Sequence, residues 1–125
     1  MTTPEWIAFL LASAVGAPMR YLVDGWIQDR ARRTFPSGTF VVNVSGCFAL
    51  GLLTGLGLYH GLTATTRTIV GTGGLGAYTT FSTFTFETVR LAEEGAVPAA
   101  LLNAGLSLVV GLAAAAMGLA LMTAL

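Results

Sequence analysis

Residues Gly74 to Glu87 read GLGAYTTFSTFTFE, and this segment sets the architecture of the whole chain. It lies in a long apolar region, yet its two glycines loosen the backbone and its five Ser and Thr hydroxyls are interleaved with phenylalanines. Inside a bilayer, an interrupted helix is tolerated only where protein buries it or where it lines a cavity. The segment therefore predicts a polar site at membrane depth that the rest of the chain supports.

The composition predicts an all-α membrane protein. Of 125 residues, 54% are hydrophobic and only 10% are charged, with a mean hydropathy of +0.77, whereas soluble domains carry about 25% charged residues. A spanning helix needs about 20 apolar residues, so this length allows four spans in one domain. The expected spans are 6–26, 37–59, 67–91 and 98–121. Net charge is zero, so no basic surface indicates a nucleic-acid partner.

The third span is predicted to be broken at 76–80, in the middle of the membrane. Such a break frees backbone carbonyls that coordinate small cations, and the following helix N-terminus favours anions. Beyond the break, Phe81, Phe84, Thr85 and Thr88 share one helical face. Packing or the lining of a pathway would each explain that face. Glu87 and Arg90 are three residues apart and can form a local pair.

Two other polar residues lie within predicted spans and leave alternatives open. Arg20, in the first span, is costly in lipid, and it could reach the interface, bind loop carbonyls or act on a permeating anion. Asn43, in the second span, could join two helices or offer its amide hydrogens to an ion pathway.

The last span and the first loop carry further patterns. Asn103, Ser107, Gly111 and Ala115 recur every four residues, which predicts either a packing stripe or a line of donors. The loop at 27–36 is rich in arginine, which favours a cytoplasmic position for it and places both termini outside.

The predicted spans contain no metal-ligand cluster, no carboxylate pair and no nucleophile beside a base, so we do not expect an enzyme. Most intramembrane polar groups are neutral donors, which can replace the hydration shell of an anion without trapping it. The edge of a phenylalanine ring carries partial positive charge, so edge-on rings could contact an anion in a narrow, dry passage. A small, hard anion fits this chemistry better than a large one.

Three ordered segments closely resemble the Fluc (CrcB) family of fluoride channels. They are GAPMRY at Gly16–Tyr21, GTFVVNVSG at Gly38–Gly46 and GAYTTFSTF at Gly76–Phe84, and the last is the most specific. The resemblance extends over all four spans. It implies a passive channel that exports toxic fluoride across the plasma (inner) membrane of a prokaryote. It also implies an antiparallel, dual-topology homodimer with two pores.

The resemblance further implies roles for individual residues. Phe81 and Phe84 match pore-lining phenylalanines contributed across the dimer, and Asn43 matches the pore asparagine. The positions that match hydroxyls of the polar track are Ser82, Thr83 and Ser107. The positions whose backbone carbonyls would hold a structural sodium ion at the dimer axis are Gly76 and Thr79. Arg20 matches an arginine with a structural or vestibular role.

The chain departs from the family pattern at two positions of its last span. Many members carry an aromatic residue where this chain has Asn103, and a hydroxyl where it has Gly111. Two other classes of protein compete with the channel. A small multidrug-type four-span antiporter needs a membrane-embedded acid, and Glu5 lies only at the edge of the first span. A non-transporting membrane assembly protein would explain the spacing of Gly51 and Gly55, but not the broken span.

Overall fold

The chain is helical almost throughout, and the computed structural model describes all of residues 1–125. The helices are α1 (Thr3–Ala31), α2 (Ser37–Tyr59), α3 (64–78), α4 (Phe81–Glu93) and α5 (Val97–Ala124). Helix α3 consists of three contiguous pieces, and the middle piece has the wider turn of a π-helix. These pieces are Ala64–Arg67, Thr68–Leu75 and Gly76–Tyr78.

Three helices, α1, α2 and α5, are long and apolar enough to cross a bilayer. With the large apolar side chains that the bundle exposes, this makes the chain a multi-pass membrane protein. Helix α2 has the expected bounds, whereas α1 and α5 extend beyond 6–26 and 98–121 at both ends. They are longer because hydropathy marks only the apolar part of a helix, while backbone hydrogen bonding continues into its polar ends.

Close backbone contacts hold the bundle together. Helix α5 packs mainly along α2, and α3 packs along α1. A Cβ atom added at Gly51 would collide with the Ala115 carbonyl, and one added at Gly118 would collide with the Phe48 carbonyl. Ala115, which belongs to the stripe on α5, and Gly118 therefore serve packing at this point, because a larger side chain at Gly51 or Gly118 would separate the two helices.

The chain is interrupted between α3 and α4 by two extended residues. Thr79 has φ −78° and ψ 162°, and Thr80 has φ −146° and ψ 125°. The sequence predicted an interruption over 76–80, but Gly76–Tyr78 is helical, so the interruption is shorter than expected. The neighbouring glycines are accommodated in the π-helical piece Thr68–Leu75 rather than in a break.

The hydroxyl of Thr80 starts helix α4. Thr80 Oγ1 accepts a hydrogen bond from the Thr83 N–H at 3.2 Å, which satisfies one of the free N–H groups at the helix N-terminus. Thr80 Oγ1 also donates to Thr83 Oγ1 at 3.0 Å. Helix α4 has 13 residues and packs on α5, so it reaches only part of the way through a bilayer.

Candidate functional site

Asn43 pairs with both backbone groups of Thr80. Its Nδ2 donates to the Thr80 carbonyl at 2.8 Å, and its Oδ1 accepts from the Thr80 N–H at 2.8 Å. In a regular helix these groups would find partners within the helix, and unpaired groups are costly in the interior of a bilayer. Asn43 thus joins α2 to the interruption. This agrees with the first of the two alternatives offered by the sequence, in which Asn43 links two helices. One Nδ2 hydrogen is left over for a further partner.

Arg20 binds the other extended residue. Its Nη1 donates to the Thr79 carbonyl at 3.2 Å, so a charged side chain of α1 satisfies a backbone group at the interruption. This is the contact with loop carbonyls that the sequence offered as one possibility for Arg20. Together, Arg20 and Asn43 position the two extended residues from two different helices.

The interruption also changes the backbone bonding of α3. The Thr79 N–H donates to the Leu75 carbonyl at 2.9 Å, whereas the Thr80 N–H turns to Asn43. The Gly76 carbonyl therefore loses the donor that it would have in a continuous helix. Gly76 is exposed on the surface of the chain, so this carbonyl group belongs to an open face.

A cavity of about 410 Å³ opens beside the interruption and contains no charged residue. Helix α2 and the interruption supply polar groups on one side, and α4 and α5 supply aromatic and hydroxyl groups on the other. Among the predicted site residues, the cavity is lined by Asn43, Gly76, Thr79, Phe81, Phe84 and Ser107. Since these residues come from separate segments, only folding brings them together.

The two phenylalanines of the cavity, Phe81 and Phe84, differ in how far they are buried. Their ring centroids lie 6.1 Å apart at an interplanar angle of 44°. Phe84 is half-buried, whereas Phe81 has 77% of its surface exposed. The cavity is therefore open on the side of Phe81, where the single chain provides nothing to cover it.

Two predicted hydroxyls lie outside this cavity. Ser82 is exposed, with its Oγ 3.4 Å from Thr80 Oγ1. Thr83 lines a smaller cavity of about 200 Å³, together with Arg20, Asp24 and Thr39 among others. Both cavities reach Thr80, so the interruption lies between them.

Several contacts were not predicted from the sequence. Glu87 turns inward, and its Oε1 accepts from Thr39 Oγ1 at 3.0 Å. The expected local pair between Glu87 and Arg90 is wrong, because Arg90 Nε bonds Glu94 Oε1 at 2.8 Å instead. Asp24 and Glu87 are thus two half-buried acids within the bundle. The common face of Thr39 and Asn43, four residues apart, was the only sequence signal for this polar cluster.

Asn103 is almost completely buried, with 1% of its surface exposed, and it links α5 to α4. Its Nδ2 donates to Thr88 Oγ1 at 2.8 Å, and Thr88 Oγ1 donates in turn to the Phe84 carbonyl at 2.7 Å. Ser107 Oγ lies 3.5 Å from Asn103 Oδ1. The residue that departs from the family pattern therefore supports the backbone that carries Phe84.

The fold and the cavity define a class of protein: a multi-pass helical membrane protein with an uncharged, mainly apolar cavity that carries a few amide and hydroxyl groups at a helix interruption. Within that class, the chain belongs to the family described as CrcB-like protein, camphor resistance (CrcB), whose sequence model matches residues 7–119. No group of three or more His, Cys, Asp or Glu side chains is positioned to hold a metal ion.

Similar proteins from several bacteria carry one functional name. The chain is 46% identical over 119 residues to the fluoride-specific ion channel FluC 1 of Leifsonia xyli, covering 95% of this chain and 87% of that protein. It is 46% identical over 115 residues to the fluoride-specific ion channel FluC of Acidobacterium capsulatum, covering 91% and 90%. It is 44% identical over 118 residues to the fluoride-specific ion channel FluC 2 of Mycobacterium tuberculosis, covering 94% and 90%.

Proposed function

We propose that this chain forms a fluoride-selective channel that lets fluoride leave the cell passively across the plasma (inner) membrane of a prokaryote. The observation that carries the proposal is the uncharged cavity beside the interruption, where Asn43, Phe81, Phe84 and Ser107 converge. The names of the relatives agree with it. An ion channel is not an enzyme, and no catalytic residue is assigned.

The chemistry of the lining suits a small anion. Amide and hydroxyl groups can replace part of the hydration shell of fluoride, and the positive edges of the phenylalanine rings can supply further contacts. Because no cationic side chain lines the cavity, an anion would be bound weakly enough to leave again. The hydroxyls of Ser82 and Thr83 lie next to Thr80 and would continue the polar track beyond the phenylalanines.

The pore requires a second copy of the chain in the opposite orientation. Phe81 is largely exposed, and the cavity is open beside it, so one chain provides only part of a closed pathway. An antiparallel, dual-topology homodimer would cover Phe81 and would create two equivalent pores by symmetry. In this arrangement α3 and α4 act as one span that is interrupted near the middle of the membrane.

A structural sodium ion fits the dimer axis, where Gly76 and Thr79 would supply backbone carbonyls. Carbonyl oxygens are hard ligands of the kind that suit such cations. The Gly76 carbonyl has lost its helical donor, and the Thr79 carbonyl has a second lone pair besides the one facing Arg20. Two carbonyls from each of two chains would surround the ion and offset the cost of bringing these groups together.

The direct test is fluoride release from liposomes that contain the purified protein, recorded with a fluoride electrode beside a chloride electrode. We expect rapid fluoride release with negligible chloride release. Release of neither ion by folded, dimeric protein would contradict the proposal. Proton flux stimulated by a cationic drug would instead support the antiporter alternative, for which Asp24 and Glu87 would supply the acids.

A further inference from the structure

A second open cavity lies at the end of the bundle where α1 and α4 end and α2 begins. Its volume is about 510 Å³, and its charged lining consists of Arg32, Arg33, Glu87, Arg90 and Glu94. It is separate from the uncharged cavity at the interruption, and neither the family resemblance nor the names of the relatives assign it a role. Its position on the loop side makes it accessible to water.

The turn that carries the two loop arginines is held in a defined shape. Gln28 Nε2 donates to the Arg33 carbonyl at 3.0 Å and to the Phe35 carbonyl at 3.4 Å, and Gln28 Oε1 accepts from the Gly38 N–H at 3.2 Å. Arg32 ends α1 in the left-handed conformation, with φ +45°. A single side chain thus satisfies two carbonyls of the loop and one N–H at the start of α2, so Arg32 and Arg33 line the cavity in a preorganised turn.

The cavity is lined by more arginine than glutamate side chains. Arg90 is paired with Glu94, and this is the only salt bridge in the structure. Arg32 and Arg33 make no side-chain hydrogen bond or ion pair, so their positive charges remain available to a mobile anion. Opposite them is Glu87, whose Oε2 is buried without a hydrogen-bond partner. Without the two arginines, the charged lining of the cavity would be reduced to Arg90, Glu87 and Glu94.

A polar connection leads from this cavity to the interruption. Glu87 lines the charged cavity and bonds Thr39, and Thr39 lines the smaller cavity that also contains Thr80 and Thr83. Thr80 in turn lines the uncharged cavity. The lining between the arginines and the proposed pore therefore includes the hydroxyls of Thr39, Thr80 and Thr83, together with the acids Glu87 and Asp24 and the apolar Ala17 and Val42.

The geometry points to this charged cavity as an aqueous mouth of the pore, in which Arg32 and Arg33 capture small inorganic anions, fluoride in particular, from solution. The inference rests on the proposed function, since it concerns entry to the same pathway. Clefts lined mainly by charges of one sign raise the local concentration of oppositely charged ions, and this effect weakens as salt screens the charges. The arginines would therefore affect how often fluoride enters, and not how the uncharged cavity selects it.

The test compares the double variant Arg32→Gln/Arg33→Gln with the unchanged protein in phosphatidylcholine liposomes, which contain no anionic headgroups. Initial fluoride efflux is measured at low fluoride, with ionic strength set by an impermeant salt. Arg30→Gln is the matched control, because Arg30 carries the same charge nearby but stacks on Trp26 at 3.8 Å and does not line the cavity. Arg67→Gln tests a charge that lies outside this loop.

We expect the double variant to release fluoride roughly threefold more slowly at about 0.01 M salt, where the screening length is about 30 Å. At about 1 M salt, where that length is about 3 Å, its rate should match that of the unchanged protein. Equal rates at low salt would overturn the inference, and so would a deficit that persists at high salt. An equal deficit in Arg30→Gln would show a general surface effect and would also overturn it. Failure of the unchanged protein to release fluoride would instead reject the proposed function.

Discussion

Replacing Asn43 with leucine removes both side-chain bonds to Thr80 while keeping a side chain of similar size. The Thr80 N–H and carbonyl would then lie at the interruption without their 2.8 Å partners. Side-chain hydrogen bonds within membrane proteins are worth about 0.6 kcal/mol on average and up to about 1.7 kcal/mol each. Unsatisfied buried groups in soluble proteins cost about 1–3 kcal/mol each. An extended backbone cannot supply substitute partners for these two groups. For the loss of both bonds, we expect the free energy of unfolding to fall by about 2–3 kcal/mol.

The measurement is reversible unfolding in mixed detergent micelles, followed by the fluorescence of Trp6 and Trp26. Protein concentration must be held constant, because the stability of a dimer depends on it. Thr54→Val is the matched control: its hydroxyl bonds the Leu50 carbonyl within the same helix, at 2.8 Å, and its loss should cost less than about 0.5 kcal/mol. If Asn43→Leu were no less stable than Thr54→Val, Asn43 would not be what holds the interruption in place.

Three further predictions concern the pore, the start of α4 and the proposed ion. Phe81→Ile and Phe84→Ile should each slow fluoride efflux by roughly fivefold while dimer formation persists, since loss of a ring edge removes about 1 kcal/mol of contact to the anion. Phe86→Ile, an exposed residue outside the cavity, should have no effect. Normal efflux in both pore variants would refute the role of the rings. Thr80→Val should lower the unfolding free energy by about 1 kcal/mol through loss of the helix cap, whereas Thr80→Ser should retain it; equal stability of the two variants would contradict the capping role. Exhaustive replacement of sodium by a large organic cation should weaken dimerisation measured by chemical cross-linking, and unchanged dimerisation would count against an axial ion.

The sequence predicted the helices and the presence of an interruption because both depend on local properties. Spans follow from hydropathy over about 20 residues, and the hydroxyl-rich segment around Thr79 and Thr80 could not continue as a plain apolar helix. The predicted break at 76–80 began three residues too early, because Gly76, Ala77 and Tyr78 remain helical and only Thr79 and Thr80 are extended.

Contacts across helices were harder to predict. The alternatives for Asn43 and Arg20 differed only in which backbone group lies opposite the side chain, and that depends on the rotation and depth of neighbouring helices. The inward turn of Glu87 has the same cause: its spacing to Arg90 suggested a surface pair, but the packing of α4 against α2 and α5 directs it toward Thr39. Residue spacing within one helix does not contain this information.

The way the interruption is held has a consequence for biosynthesis. Thr79 and Thr80 depend on side chains from α1 and α2, and both helices precede them in the chain. Since a polypeptide emerges from the ribosome with its N-terminal part first, Arg20 and Asn43 can already be in the membrane when the interruption arrives. The backbone groups of Thr79 and Thr80 can then form hydrogen bonds to Arg20 and Asn43 as they enter the membrane. A chain with these helices in the reverse order would have to place the interruption in lipid before anything existed to pair with it.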